Sequence, residues 1–118
     1  MKKLCIVFRR APHGTAHGRE GLDLALLSAS FEQEVSLIFM DEGVLNLLKQ
    51  QQPELIGAKD YIATFKALPL YDVETVLVCK QSLAELGLSA GLLSIPVTVF
   101  NHEQIAGHLA QADEVLVF

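Results

Sequence analysis

Short apolar runs alternate with helical patterns from one end of the chain to the other, and this alternation limits what it can fold into. Lys3–Phe8, Val35–Met40, Val73–Val78, Pro96–Phe100 and Glu114–Phe118 are rich in β-branched and aromatic residues and read as five strands. Between them lie segments with helix signals: Arg19–Phe31, a short helix from Asp41 through Leu48, Lys59–Leu68, Lys80–Leu86, and a helix opening at Asn101. Asp41 is expected to cap its helix by accepting from free amides. Pro69 is expected to break the helix before it. Gly87 suits a left-handed carboxyl cap, and Asn101 with Gln104 has capping-box spacing. Gln50–Pro53 reads as a loop.

Strands separated by helices imply a largely parallel sheet with helices on both faces, because parallel strands need long crossovers. The strand runs are near-continuously apolar, as a sheet buried on both sides requires. The expected fold class is therefore α/β, a three-layer α/β/α arrangement around a five-stranded, mostly parallel sheet. With 118 residues and no linker or internal repeat, residues 1–118 are expected to form a single domain. Strand order is not legible at this level.

Composition then narrows the function. Apolar residues make up 51% of the chain, a high share for so small a domain, so some should lie outside and favour a protein interface. No apolar run approaches the ~20 residues that span a bilayer, and the stretch after Lys2 and Lys3 stops at Arg9. A cytoplasmic protein without a membrane contact is expected. The net charge of −5 speaks against direct nucleic-acid binding, which rests on lysine and arginine. Two cysteines and four scattered histidines offer neither a disulfide framework nor metal-ligand spacing, so no metal or other cofactor is expected.

In the first helix, Leu22, Ala25, Leu26 and Ala29 make one apolar stripe, and Leu24, Leu27 and Phe31 make a second. One stripe can cover the sheet. The other needs a further cover, either within the domain or from another subunit.

Ligands of open α/β sheets sit at the carboxyl ends of the strands. Three features converge there: the loop after the first strand, Asp41–Glu42 after the second, and Cys79 after the third. Cys79 opens "KQSLAEL", where helix amides and the adjacent Lys80 favour a thiolate. It is the candidate catalytic residue; the alternative is a small apolar residue closing a strand. Cys5, inside "LCIVF", reads as core. A phosphatase loop needs arginine six positions after the cysteine, where Glu85 stands, and a redox pair needs cysteine at Ser82. The loop "RRAPHGTAHGR" fails the Walker spacing, since Gly14 and Gly18 are three residues apart and Arg19 follows. It remains either a flexible surface loop or a basic rim facing an acidic partner, with Arg9, Arg10, His13, His17 and Arg19 as candidate contact residues. Asp72, Glu74, His102 and His108 read as solvated positions.

Three segments, "APHGTAHGREGLDLAL", "KDYIATFKALPLYDVE" and "VLVCKQSLAELGL", resemble the sulfur-relay subunits of the DsrE/DsrF-like family across essentially the whole chain. That resemblance implies a mainly structural subunit in a heterohexamer with TusB-like and TusD-like subunits. It also implies transient contact with TusA-like and TusE-like sulfur carriers, and persulfide sulfur destined for the 2-thio group of wobble uridine in tRNA. Related complexes of the family act in sulfur oxidation. The persulfide-bearing cysteine is ascribed to the D-type subunit, at a position like that of Cys79 here. The resemblance also casts the loop Arg9–Arg19 as a surface read by partner subunits or by the incoming carrier.

Overall fold

The computed structural model describes residues 2–11, 17–31, 33–48 and 66–118. Strands β1 (Lys3–Phe8), β2 (Glu34–Phe39), β3 (Thr75–Cys79), β4 (Thr98–Phe100) and β5 (Glu114–Val117) form one sheet in the order β4-β3-β2-β1-β5. Every pairing is parallel. Among the described residues, three α-helices accompany them: α1 (His17–Ser30), α2 (Lys80–Leu86) and α3 (His102–Ala110). Asp41–Leu47, Leu68–Tyr71 and Ala90–Leu92 are 3-10 turns.

The order explains the layers. From β1 to β4 the chain steps outward in one direction, and right-handed crossovers keep α1 and α2 on one face. The step from β4 to β5 returns over β3, β2 and β1 to the opposite edge, so α3 lies on the other face. Side-chain parity agrees. Leu4, Ile6, Phe8, Val35, Leu37 and Phe39 pack with Leu22 and Ala25 of α1 and Leu83 of α2. Cys5, Val7, Ile38, Leu77 and Cys79 pack instead with Ile105 of α3. Val115 and Val117 share the α3 face, by register with Cys5 and Val7, yet remain exposed at the β5 edge.

Local signals account for most boundaries. Gly87 closes α2 at φ 69°, the left-handed region that glycine enters at no steric cost. Asn101 Oδ1 accepts from the Gln104 amide while Gln104 Oε1 accepts from the Asn101 amide, completing the capping box of α3. Three expectations need correction. Asp41 does not cap: the cap position falls to Met40, with no side-chain bond, and Asp41 itself sits at φ 52°. The helix expected to run through Leu68 has its last helical residue at Lys66, and Pro69 stands near the start of the turn Leu68–Tyr71, where its missing N–H has no bond to make. Val73, Pro96 and Val97 lie outside the ladders: the Val73 amide donates to Leu68 to close the preceding turn, and β4 begins only at Thr98. The expected loop at Gln50–Pro53 and most of the expected helix Lys59–Leu68 lie outside the described residues.

One titration follows from burial. The Cys5 thiol is pushed above its ordinary value of 9.0 by desolvation, opposed in part by a hydrogen bond from the Ser36 hydroxyl. A raised folded value leaves stability untouched below the unfolded value and removes it as pH climbs through the folded one. Urea midpoints should therefore fall above about pH 9, and Cys5→Ala should flatten that alkaline limb. An unchanged limb in the variant would show that the Cys5 thiol titrates alike in the folded and unfolded chain. Lys2, held up chiefly by its hydrogen bond to Glu114, acts in the same direction at higher pH.

Candidate functional site

Because all strands run the same way, the ends of β1, β2 and β3 meet at one edge, and two of the three features expected there are laced together and joined to α2 through Ser82. Arg9 follows β1, and its Nε donates to Asp41 Oδ2 at 2.8 Å. Asp41 follows β2, and its amide donates to the Ser82 hydroxyl, also at 2.8 Å. Ser82 is buried on α2, three residues after Cys79. The serine that fails the redox spacing is thus structural, satisfying an amide at a strand end. The left-handed turn at Asp41 explains why its carboxylate reaches Arg9 instead of the helix amides.

The loop after β1 is anchored from below. Asn46 is completely buried, and its Nδ2 donates to the carbonyls of Arg10 and Gly43 at 2.9 and 2.8 Å. Gly43 lies so close to β1 that an added Cβ would stand 1.9 Å from the Phe8 carbonyl oxygen. The amide of Arg9 donates to Phe118, extending the β1–β5 ladder by one residue. Arg9 and Arg10 are therefore displayed, exposed, on a rigid base. They border a cleft of about 270 Å³ with Asp41, Val117 and Phe118, where the strand order reverses between β1 and β5. His17 begins α1, and Arg19 lies in its first turn. The side chains of both, and His13 entirely, lie outside the described residues.

Cys79 ends β3 in extended backbone at the cap position of α2. Its side chain has no exposed surface. The sulfur lies among Cys5, Ile38, Leu77 and Ile105, with Met40 and Phe100 beside it, and Sγ donates to Gln81 Oε1 at 3.8 Å. Lys80 points to an exposed position. Cys5 is buried in the core, as read from the sequence.

The stripes of α1 separate at Leu27 and Phe31, whereas Leu24 of the second stripe packs against the main core. Leu22 and Ala25 are buried, Leu24, Leu26 and Ala29 are half-buried, and Leu27 and Phe31 are 57% and 71% exposed. The turn 68–71 packs beside α1 and adds Leu70 and Tyr71, both exposed.

The amino edge of the sheet holds a contact missed by sequence reasoning. His108, read as solvated, is half-buried, with Nε2 2.8 Å from Ser36 Oγ. Ser36 lies on the face that α3 covers, and the two residues line a cleft of about 160 Å³ with Lys3, Glu34, Thr75 and Gln111. Asp72, Glu74 and His102 are exposed as expected. Among the described residues no three His, Cys, Asp or Glu side chains gather into a metal site, and no helix is long and apolar enough to cross a membrane.

Comparison with known proteins places this geometry. The "Protein TusC homolog" of Aliivibrio fischeri is 41% identical over 118 residues, covering all of both chains. The protein of the same description from Vibrio parahaemolyticus is 42% identical over the same span. The crystal structure of the ychN protein from E. coli superposes with a TM-score of 0.83 at 27% identity, again covering the whole of both chains. The model of the DsrE/DsrF-like family matches residues 2–118. On this match and these full-length relatives, the chain belongs to the DsrE/DsrF-like family.

Proposed function

We propose that the chain is a mainly structural subunit of a TusBCD-type sulfur-relay complex, which supports persulfide transfer for 2-thiolation of wobble uridine in tRNA. The observation that carries this reading is the outer stripe of α1. Leu27 on α1 and Phe31 just past its end stand exposed, while the other stripe of the helix already covers the sheet, so the domain is complete without them. An apolar surface of that kind marks an interface. The relatives described as TusC homologues support the choice of complex. As one DsrE/DsrF-like domain, residues 1–118, the chain works in the cytoplasm beside TusB-like and TusD-like subunits in a heterohexamer. It meets TusA-like and TusE-like carriers transiently. Its rim of Arg9, Arg10, His13, His17 and Arg19 is the surface read by a partner or carrier, with arginines supplying directional hydrogen bonds to carboxylates.

A second reading gives Cys79 itself a persulfide, on the strength of its place between β3 and α2. Its thiolate would attack the outer sulfur of a carrier persulfide, forming a new S–S bond as the carrier thiolate leaves. Complete burial of the side chain favours the structural reading. Cys79→Ser in the assembled complex separates the two: tRNA thiolation should persist at the wild-type rate. Abolished thiolation in a complex of unchanged mass would transfer the carrier role to this chain.

A further inference from the structure

Helix α3 is the only described element lying over the second face of the sheet, and its hold is slight. Of its nine residues only Ile105 is buried, with Leu109 and, just beyond the helix, Ala112 in partial contact. Gly107 sits in the helix interior, where an added Cβ would meet nothing within 4 Å, so the glycine weakens the helix with no close approach to require it. A short helix with one buried anchor belongs at the low end of local stability. Two side-chain devices secure it: the Asn101–Gln104 box at its start and the His108–Ser36 contact near its end. Immediately past the helix the chain is moored again, where the Asp113 amide donates to Lys3 and the Lys3 amide donates to Asp113 Oδ2. Beneath α3 lie both cysteines of the chain, each fully buried, and Ser36, the register partner of Cys5 on β2, contacts His108.

We propose that α3 is a hinged cover that lifts from the sheet as a unit between Phe100 and Asp113, with the His108–Ser36 contact as its catch, and so controls chemical access to Cys5 and Cys79. The core on the α1 side stays folded while it lifts, since no residue of α3 contributes to that cluster. The cover acts on these thiols whether or not either carries sulfur. Its failure is therefore distinguishable from failure of the relay reading, which tRNA thiolation tests.

The experiment follows iodoacetamide alkylation of each cysteine by mass, alongside amide hydrogen exchange, on the full chain in the assembly with which it purifies. Cys5 and Cys79 should react at one shared rate, tracking exchange of α3 and faster than exchange of the β1 and β2 amides. His108→Ala should raise both rates about fivefold, the weight of one hydrogen bond. Gly107→Ala, for which there is open space, should lower both about fivefold, the helix-propensity difference between the two residues. Neither variant should alter exchange in β1 or β2. Reaction at the exchange rate of the central strands would overturn the proposal, as would reaction of Cys79 without Cys5. Variants that leave both rates unchanged would overturn it too.

Discussion

Replacing Gly43 with alanine should remove a large part of the stability of the fold. The added methyl would stand 1.9 Å from the Phe8 carbonyl oxygen, 2.4 Å from its carbon and 2.9 Å from the Arg9 nitrogen. All three are backbone atoms of the sheet edge, so no side-chain rotation can make room. The clash can be relieved only by moving the turn Asp41–Leu47 away from β1. That movement would break the bond from the Met40 amide to the Phe8 carbonyl, pull Asn46 from Arg10, and loosen the Val44 and Leu47 contacts in the main core. Overpacking of a core commonly costs about 1–3 kcal/mol, and a backbone clash coupled to a buried asparagine should reach at least the top of that range. Against a typical total of about 5–15 kcal/mol, such a loss shifts a urea midpoint by a large fraction of its value. The measurement is equilibrium unfolding followed by circular dichroism. A midpoint within error of wild type would mean that the turn is not held against Phe8. Gly21→Ala is an instructive contrast, because the nearest atoms to its Cβ would be side-chain atoms of the Phe8 and Phe118 rings, at 2.8 and 3.0 Å, and not backbone.

The physical reason for Gly43 also shows what could be read from the sequence and what could not. Local chemistry was legible. The run "KLCIVF" maps onto β1 residue for residue, Gly87 caps α2, and the spacing of Asn101 and Gln104 yields the box it implies. These features depend on neighbours within a few positions. The contacts that build the site do not. Ser36 and His108 are 72 positions apart, and Asp41 and Ser82 are 41 apart. Each meeting depends on the order β4-β3-β2-β1-β5, and no local pattern encodes that order. His108 looks like any polar residue of an amphipathic helix until Ser36 is known to lie beneath it. Asp41 looks like a helix cap until Arg9 is known to emerge from the adjacent strand. Glycine at position 43 carried a weak signal, since glycine inside a helical turn needs a packing reason. The sequence shows the need for that reason without showing which atom supplies it.

Placing aspartate at Leu27 and Phe31 together should dismantle the native assembly while leaving the domain folded. Leu27 lies in the last turn of α1 and Phe31 just past its end, four residues on, and both are mainly exposed. Substituting exposed positions that touch no core residue ordinarily changes stability by no more than about 0.5 kcal/mol. Buried in an interface, the same pair would behave very differently. A leucine and a phenylalanine taken from water contribute about 1.5–3 kcal/mol each. Aspartates in their place would also bury charge without a partner. A loss of at least 2 kcal/mol in one contact corresponds to roughly a 30-fold weaker association. The wild-type chain should purify with its sibling subunits as one species by light scattering, and the double variant should elute alone or in a smaller subassembly with an unchanged circular dichroism spectrum. Single changes to alanine should give intermediate weakening without the repulsion. If the double variant forms the same assembly with the same affinity, the outer stripe of α1 is solvent-facing surface. If the wild-type chain is a stable monomer at high concentration, the subunit reading fails with it, because a complete domain that tolerates its own apolar exterior needs no partner to cover it.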